Sequence, residues 1–448
     1  MAVWSLVAFS LLFMILNYMI SHGDFFNPAV LFSAINFINC IIVAYVKEYY
    51  RIEFVWDTVT VLVIGQLIFT LFNIVLFLKR KAHISQTKYN CVYIKVQSFW
   101  VVCYILIELV VIYEMYKHMR NIVSYLGVSG SLATIIGGFN SAIKFNSDEL
   151  SAAGISGSAL LAYGKPVVNG IGLFLMTIEV NNYYATKKHN RLVVFSILLV
   201  FFLALMGGSR GDAFRFLTAL LCMIILLKRK IQGSIKKGNT KLMARIGIGA
   251  ILFVVLIVNT RGYFGRTVDN SLPFWRPVFP YIGAPVANLN HFINNGTGFQ
   301  SSVLFGQETF CNLYKYIGMR LHKGAYIYNL NLPFLYQNGI NTGNVYTMYY
   351  MFLEDFGFGG IIPLVSIIAY YYLHRYKKEM TFGPRNGIIK FGTILYSYMF
   401  NSLIMLLFSN RFYEDMLSTS SFRMYLTLFI VLYLHRTGFF QRKIKFMR

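Results

Sequence analysis

The chain has 448 residues, 57% of them hydrophobic and only 13% charged, with a mean hydropathy of +0.57 and a formal net charge of +24. That is too little charge to cover a soluble fold of this length, so the soluble class is excluded. A nucleic-acid partner is excluded by where the charge sits: five short segments hold 25 of the 41 Lys and Arg residues but a single acid, Glu379.

Those segments are Lys79–Lys95, Lys187–Arg191, Lys228–Arg245, Arg375–Lys390 and Arg436–Arg448. Basic residues confined to alternate short loops follow the positive-inside pattern of a polytopic membrane protein. Apolar runs predict about eleven transmembrane helices, within a range of 10–12. They lie near 3–20, 27–46, 56–78, 93–115, 160–181, 192–207, 212–228, 244–259, 344–373, 389–408 and 422–436. Val3–Ile20 lacks a basic n-region and a small-residue cleavage site, which reads as a retained helix. The expected fold is all-α, a single integral membrane domain over 1–448. All five basic segments then fall in the cytoplasm together with the C-terminus, and the odd count puts the N-terminus outside. Cys40, Cys103 and Cys222 fall in apolar runs, Cys91 in a basic loop and Cys311 outside, so no disulfide framework is expected.

Two stretches do not read as spans. Residues 116–159 are rich in Gly, Ser and Asn and are expected to form an external loop with short helices. Residues 260–343 form the largest extramembrane element, and Pro273, Pro277, Pro280, Pro285 and Pro333 exclude one long helix there. Within it, Ala284–Asn295 places Val286, Leu289, Phe292 and Ile293 on one face and His291 and Asn294 on the other. Phe305–Leu321 carries a similar stripe, and both are expected as amphipathic helices at the membrane surface or over a cavity. A loop of this length and aromatic content reads as functional.

Several external arginines are not required by topology. Arg210 lies in Gly207-Gly208-Ser209-Arg210-Gly211-Asp212, Arg261 and Arg266 flank Gly-Tyr-Phe-Gly, Arg276 follows, and Arg411 lies between the last two spans. An arginine fork grips phosphate oxygens in pairs, and neighbouring glycine lets a ligand approach. Read singly, each also suits snorkelling to headgroups; as a group they suggest an anionic ligand. Proton acceptors on that side are His291, His322, Asp269, Glu308 and the adjacent pair Glu354-Asp355, the pair falling inside an apolar run where acids are functional candidates or internal ion-pair partners. Adjacent acids diverge by about 100° on a helix and share a metal poorly. No Walker loop, dinucleotide fingerprint or nucleophile elbow occurs, and no cofactor is expected.

The order of these features resembles the Wzy-type O-antigen polymerases, the oligosaccharide repeat-unit polymerases. The resemblance is carried by Phe26-Asn27-Pro28-Ala29-Val30-Leu31-Phe32, Gly208-Ser209-Arg210-Gly211, Tyr281-Ile282-Gly283-Ala284-Pro285, and Asn344-Val345-Tyr346-Thr347 followed by Asp355-Phe356-Gly357 and Gly360. Tyr350 stands where many members carry a basic residue. The resemblance implies a GT-C-like helical fold in a bacterial inner membrane. It implies transfer of the growing glycan from undecaprenyl diphosphate to a new lipid-linked repeat unit at the outer face, with a chain-length regulator as a partner in the same membrane. Arginines, chiefly Arg210 with Arg261 and Arg266, would stabilise the departing diphosphate without a metal. His291, or one acid among Glu308 and Asp355, would take the acceptor proton. Arg276, Asn344, Tyr346, Glu354 and Arg411 complete the expected substrate-binding set. A flippase or other transporter without chemistry, and an O-antigen ligase sharing the donor, are the alternatives. A flippase is expected to keep charges inside the helix bundle and to have short loops.

Overall fold

The computed structural model describes residues 1–78, 88–145, 149–150, 155, 157–207, 210–233, 278–296, 299–300, 302–321, 324, 332–380, 383 and 387–441. Its elements are α1 (Ala2–Ile20), α2 (Pro28–Tyr50), α3 (Trp56–Asn73, continued by a π turn at Ile74–Leu78), α4 (Ser98–Tyr125), α5 (Leu132–Phe145), α6 (Ala159–Thr186), α7 (Arg191–Met206) and α8 (Arg210–Gln232). After these come α9 (Ala284–Asn295), α10 (Cys311–Leu321), strands β1 (Leu335–Gln337) and β2 (Ile340–Gly343), α11 (Met348–Phe356), α12 (Ile361–Glu379), α13 (Phe391–Ile404), α14 (Arg411–Met416) and α15 (Thr419–Arg436).

Among the described residues, six stretches are long and apolar enough to cross a membrane: α1, α2, α3 with its π turn, α4, α6 and the run from α11 through α12. Phe9, Leu12, Ile15, Leu16 and Met19 of α1, and Leu426, Phe429, Ile430 and Tyr433 of α15, point outward and uncovered. Apolar surface of that extent suits lipid rather than water. The chain is an all-α multi-pass membrane protein.

Helix starts follow local chemistry. Asn27 caps α2 by accepting from the Ala29 N–H (2.9 Å), with Pro28 at the first helical position. Asn190 and Ser418 cap α7 and α15 in the same way. Lipid offers little hydrophobic drive for one helix to meet another, so buried polar side chains and close packing join them. Asn17 of α1 donates to Ser33 of α2 (3.1 Å) and Thr70 of α3 (2.9 Å), while Asn73 donates to Asn17 (3.0 Å) and receives from Asn27 (2.9 Å). Gly65 on α3 lets the Tyr349 ring of α11 pass, because a Cβ there would overlap the tyrosine hydroxyl. Glu108, buried in α4, receives a hydrogen bond from Ser196 of α7 (3.1 Å).

Hydrogen bonds divide the bundle into two ends. At one, Tyr89 N–H donates to Lys230 O (3.0 Å) and Gln97 N–H to Phe440 O (3.0 Å). Asn182 there donates to Ile94 O (2.8 Å), and Lys230 pairs with Glu379 (3.5 Å). The described parts of all five basic segments meet at this basic end. At the other end, Asn290 of α9 holds the α2–α3 turn, Asn338 donates to Tyr49 O (3.0 Å), and Ser158 donates to Glu114 (2.7 Å). The described elements of 260–343 and the α4–α6 connection therefore lie opposite the basic segments.

Some elements depart from the sequence expectation. The run 344–373 is two helices, α11 and α12, joined by a 3₁₀ turn at Gly357–Gly360, with Gly357 at φ 62° where a side chain would be strained. Glu354 and Asp355 thus sit just before this break in the helix. The helix expected over Phe305–Leu321 begins only at Cys311, since 305–310 forms turns. α9 matches its expected bounds, with Asn288 and Asn290 buried and bonded and Asn294 exposed, so it packs into the protein along one side and leaves its His291 and Asn294 face over a pocket. The β1–β2 hairpin and α14 are additions to the expected elements. The expected span 244–259 lies outside the described residues.

Candidate functional site

The end opposite the basic segments is organised around α14, a six-residue helix in the turn between α13 and α15. On one flank, Asp415 Oδ1 accepts from the Arg215 guanidinium of α8 (2.6 Å) and its Oδ2 accepts from Ser402 of α13 (2.7 Å). Arg215 also donates to the Tyr398 hydroxyl (3.0 Å). Its side chain is 14% exposed and that of Asp415 is 8% exposed, so the two charges leave water together. On the other flank, Asn410 donates to Thr309 O (3.1 Å) and Asn312 to Glu414 O (2.9 Å). Arg411 pairs with Glu414 at 3.3 Å. Burial raises the Glu414 carboxyl above the ordinary carboxylate value, with Arg411 pulling it back.

Asn410 and Asn312 join α14 to the acids of the large loop. Asp355 accepts from Ser302 Oγ (2.6 Å), Glu308 N–H (3.0 Å) and Thr309 N–H (2.6 Å). Both of its oxygens are thus engaged in pinning the 302–309 turn. Glu354 is hydrogen-bonded to the Tyr350 hydroxyl and faces Glu308, which is 4% exposed. Tyr350 packs on Tyr346 (4.3 Å between ring centroids) and Phe292 (4.5 Å), and Tyr346 donates to Pro333 O (3.0 Å). Two carboxylates that feel each other's charge, with a tyrosine hydroxyl on one of them, can accept and hold a proton. Cys311 sits by Glu414 and Glu308, and burial first, then these acids, push its thiol up to about 12.

Further cations gather where α8 begins. Lys165 of α6 pairs with Asp212 (3.3 Å), and Arg423 of α15 lies over the Tyr163 ring (4.0 Å) while donating to Ala162 O (2.6 Å). Among the described residues, no three His, Cys, Asp or Glu side chains are placed to hold a metal ion.

Of the residues singled out in the sequence, Glu308, Glu354, Asp355, Tyr346 and Arg411 meet in this region, and Asn344 lies in the bend leading into α11. Arg210 is the first residue of α8. Arg261, Arg266, Arg276, His322 and Asp269 lie outside the described residues. His291 lies apart, toward the α2–α3 turn, where its ring bonds Asn295 (3.0 Å). The sequence reading did not single out Arg215, Asp415 or Lys165. Arg215 carried a usable signal, since an arginine within an apolar run requires a partner. Asp415 did not, because nothing in its neighbourhood names α8. Comparisons with protein families, with curated proteins and with solved structures find no match to this chain.

Proposed function

We propose that this chain is a polysaccharide repeat-unit polymerase of the Wzy kind, with eleven spans in a GT-C-like arrangement in a bacterial inner membrane. The basic end with the C-terminus faces the cytoplasm, and the α14 region faces outward. There the growing glycan leaves undecaprenyl diphosphate for a hydroxyl of a new lipid-linked repeat unit, and a chain-length regulator is the expected partner. The observation that carries this reading is the meeting of Glu308 and Glu354 with α14, which bears Arg411, at the end opposite the basic segments. The carboxylate pair takes the acceptor proton, and arginines at headgroup depth neutralise the diphosphate without a metal. In this reading Asp355 is a positioning residue, since its oxygens already hold the 302–309 turn.

A flippase is the second reading, and one observation favours it. Among the described residues, three buried ion pairs lie along α8, Arg215–Asp415 near its start and Arg229–Asp24 (2.7 Å) and Lys230–Glu379 (3.5 Å) near its end. These two arginines stand fourteen positions apart, about 21 Å of helix. Intramembrane charges of this kind mark transport paths in many proteins. Deleting the gene and resolving the lipopolysaccharide on a gel separates the readings. Loss of a polymerase leaves lipid A core capped by one repeat unit, because export and ligation continue. Core with no repeat at all would select the flippase or the ligase.

A further inference from the structure

A polar pocket of about 170 Å³ lies between the α2–α3 turn, α9 and the hairpin, lined by Arg51, Glu53, Asn290, His291, Asn294 and Gln337 along with Ile52. Its walls are fixed. Asn290 accepts from Val55 N–H (3.0 Å) and Thr58 Oγ1 (3.0 Å) and donates to Glu53 O (2.7 Å), while Gln337 donates to Ala287 O (3.3 Å). The remaining groups are poised for a ligand. Among the described residues, Arg51 and Glu53 form no ion pair with each other or with a neighbour. Arg51 also ends α2 in the left-handed region, at φ 51° and ψ 50°, where glycine is the unstrained choice. A bulky residue held there puts a side chain at the mouth of the pocket at the expense of backbone ease.

We infer that this pocket binds one sugar unit bearing a carboxylate, a hexuronate within the glycan. The planar fork of Arg51 fits a carboxylate with two parallel hydrogen bonds. Glu53 accepts from ring hydroxyls, the Asn294 amide both donates and accepts, and the His291 ring offers Nδ1, its Nε2 being bonded to Asn295. The volume lies below the roughly 300–1,000 Å³ of sites that enclose a drug-sized ligand, so a single small polar unit is what fits. The inference rests on the glycan reading above and gives His291 a part in recognition.

The full chain in detergent, probed by saturation-transfer NMR, tests this with glucuronate, glucose and inorganic phosphate. Glucuronate should bind saturably and at least ten-fold more tightly than glucose, and phosphate should not displace it. Arg51→Gly should weaken glucuronate ten-fold or more while leaving the thermal midpoint unchanged or higher, since glycine suits that backbone. Glu53→Gln should weaken both sugars. No saturable glucuronate signal, displacement by phosphate at equal concentration, or full binding in Arg51→Gly would each overturn the assignment. The null-strain glycan phenotype reports separately on the parent reading. Single-repeat caps without uronate binding would remove the pocket alone, and uronate binding in a protein whose loss leaves the glycan intact would remove the polymerase alone.

Discussion

At the residue scale, Glu414 shows how position sets chemistry. Its carboxyl lies beside Arg411 (3.3 Å), yet burial outweighs that partner and raises it above the ordinary carboxylate value. The folded protein therefore holds a proton at pH values where the unfolded chain has released it. Stability is favoured in acid and declines as pH rises from the unfolded carboxylate value through the raised folded one. Glu414→Gln removes this titration. Thermal midpoints of the detergent-solubilised proteins, measured at pH 4.5 and pH 7, are expected to shift in favour of the variant at the higher pH. If the variant instead loses ground on going to pH 7, the Arg411 ion pair outweighs burial.

At the scale of elements, α8 and α14 are joined by a charge pair that belongs to neither alone. Removing one partner of a buried pair costs about 3–5 kcal/mol, because it strands the other charge, whereas replacing both by apolar side chains is often neutral. Arg215→Ala and Asp415→Ala should each lower the unfolding midpoint well below that of wild type. The double variant Arg215→Met/Asp415→Leu should recover it. Arg215 already spends its fork on Asp415 and Tyr398, so under the polymerase reading the recovered variant is expected to keep the wild-type glycan pattern. A stable double variant that makes no polymer would show that the pair takes part in the activity, as a transport path requires. The hairpin is a smaller element that the sequence reading did not include although its turn is local. Asn338-Gly339 is a strong two-residue turn signal, and both residues have positive φ, 51° and 70°.

At the scale of the whole molecule, the separation of the two ends carries the functional argument. Asn295 ends a helix bonded to the α2–α3 turn, whereas Lys188 follows α6 at the end where Asn182 holds the 88–97 segment. A reporter active only outside the cytoplasm should therefore give signal when fused after Asn295 and none after Lys188. The reverse pattern would place Glu308, Glu354 and α14 in the cytoplasm and remove them from any outward-facing reaction.

The linear chain determined the membrane class, the helical fold and the grouping of the basic segments, because hydropathy and charge bias are local sums over neighbouring residues. It also bounded α9 correctly, since an amphipathic stripe opening at Pro285 and closing at Gly296 is written in a dozen residues. The break at Gly357 was not legible, as apolar runs on both sides read as one span. Only the tertiary structure brought Arg215 to Asp415 and Asp355 to the 302–309 turn. It alone carried Arg51 and Glu53 to α9, some 240 residues on. Ion pairs and hydrogen bonds act over a few ångströms, and which distant residues come within that reach is decided by how the helices pack.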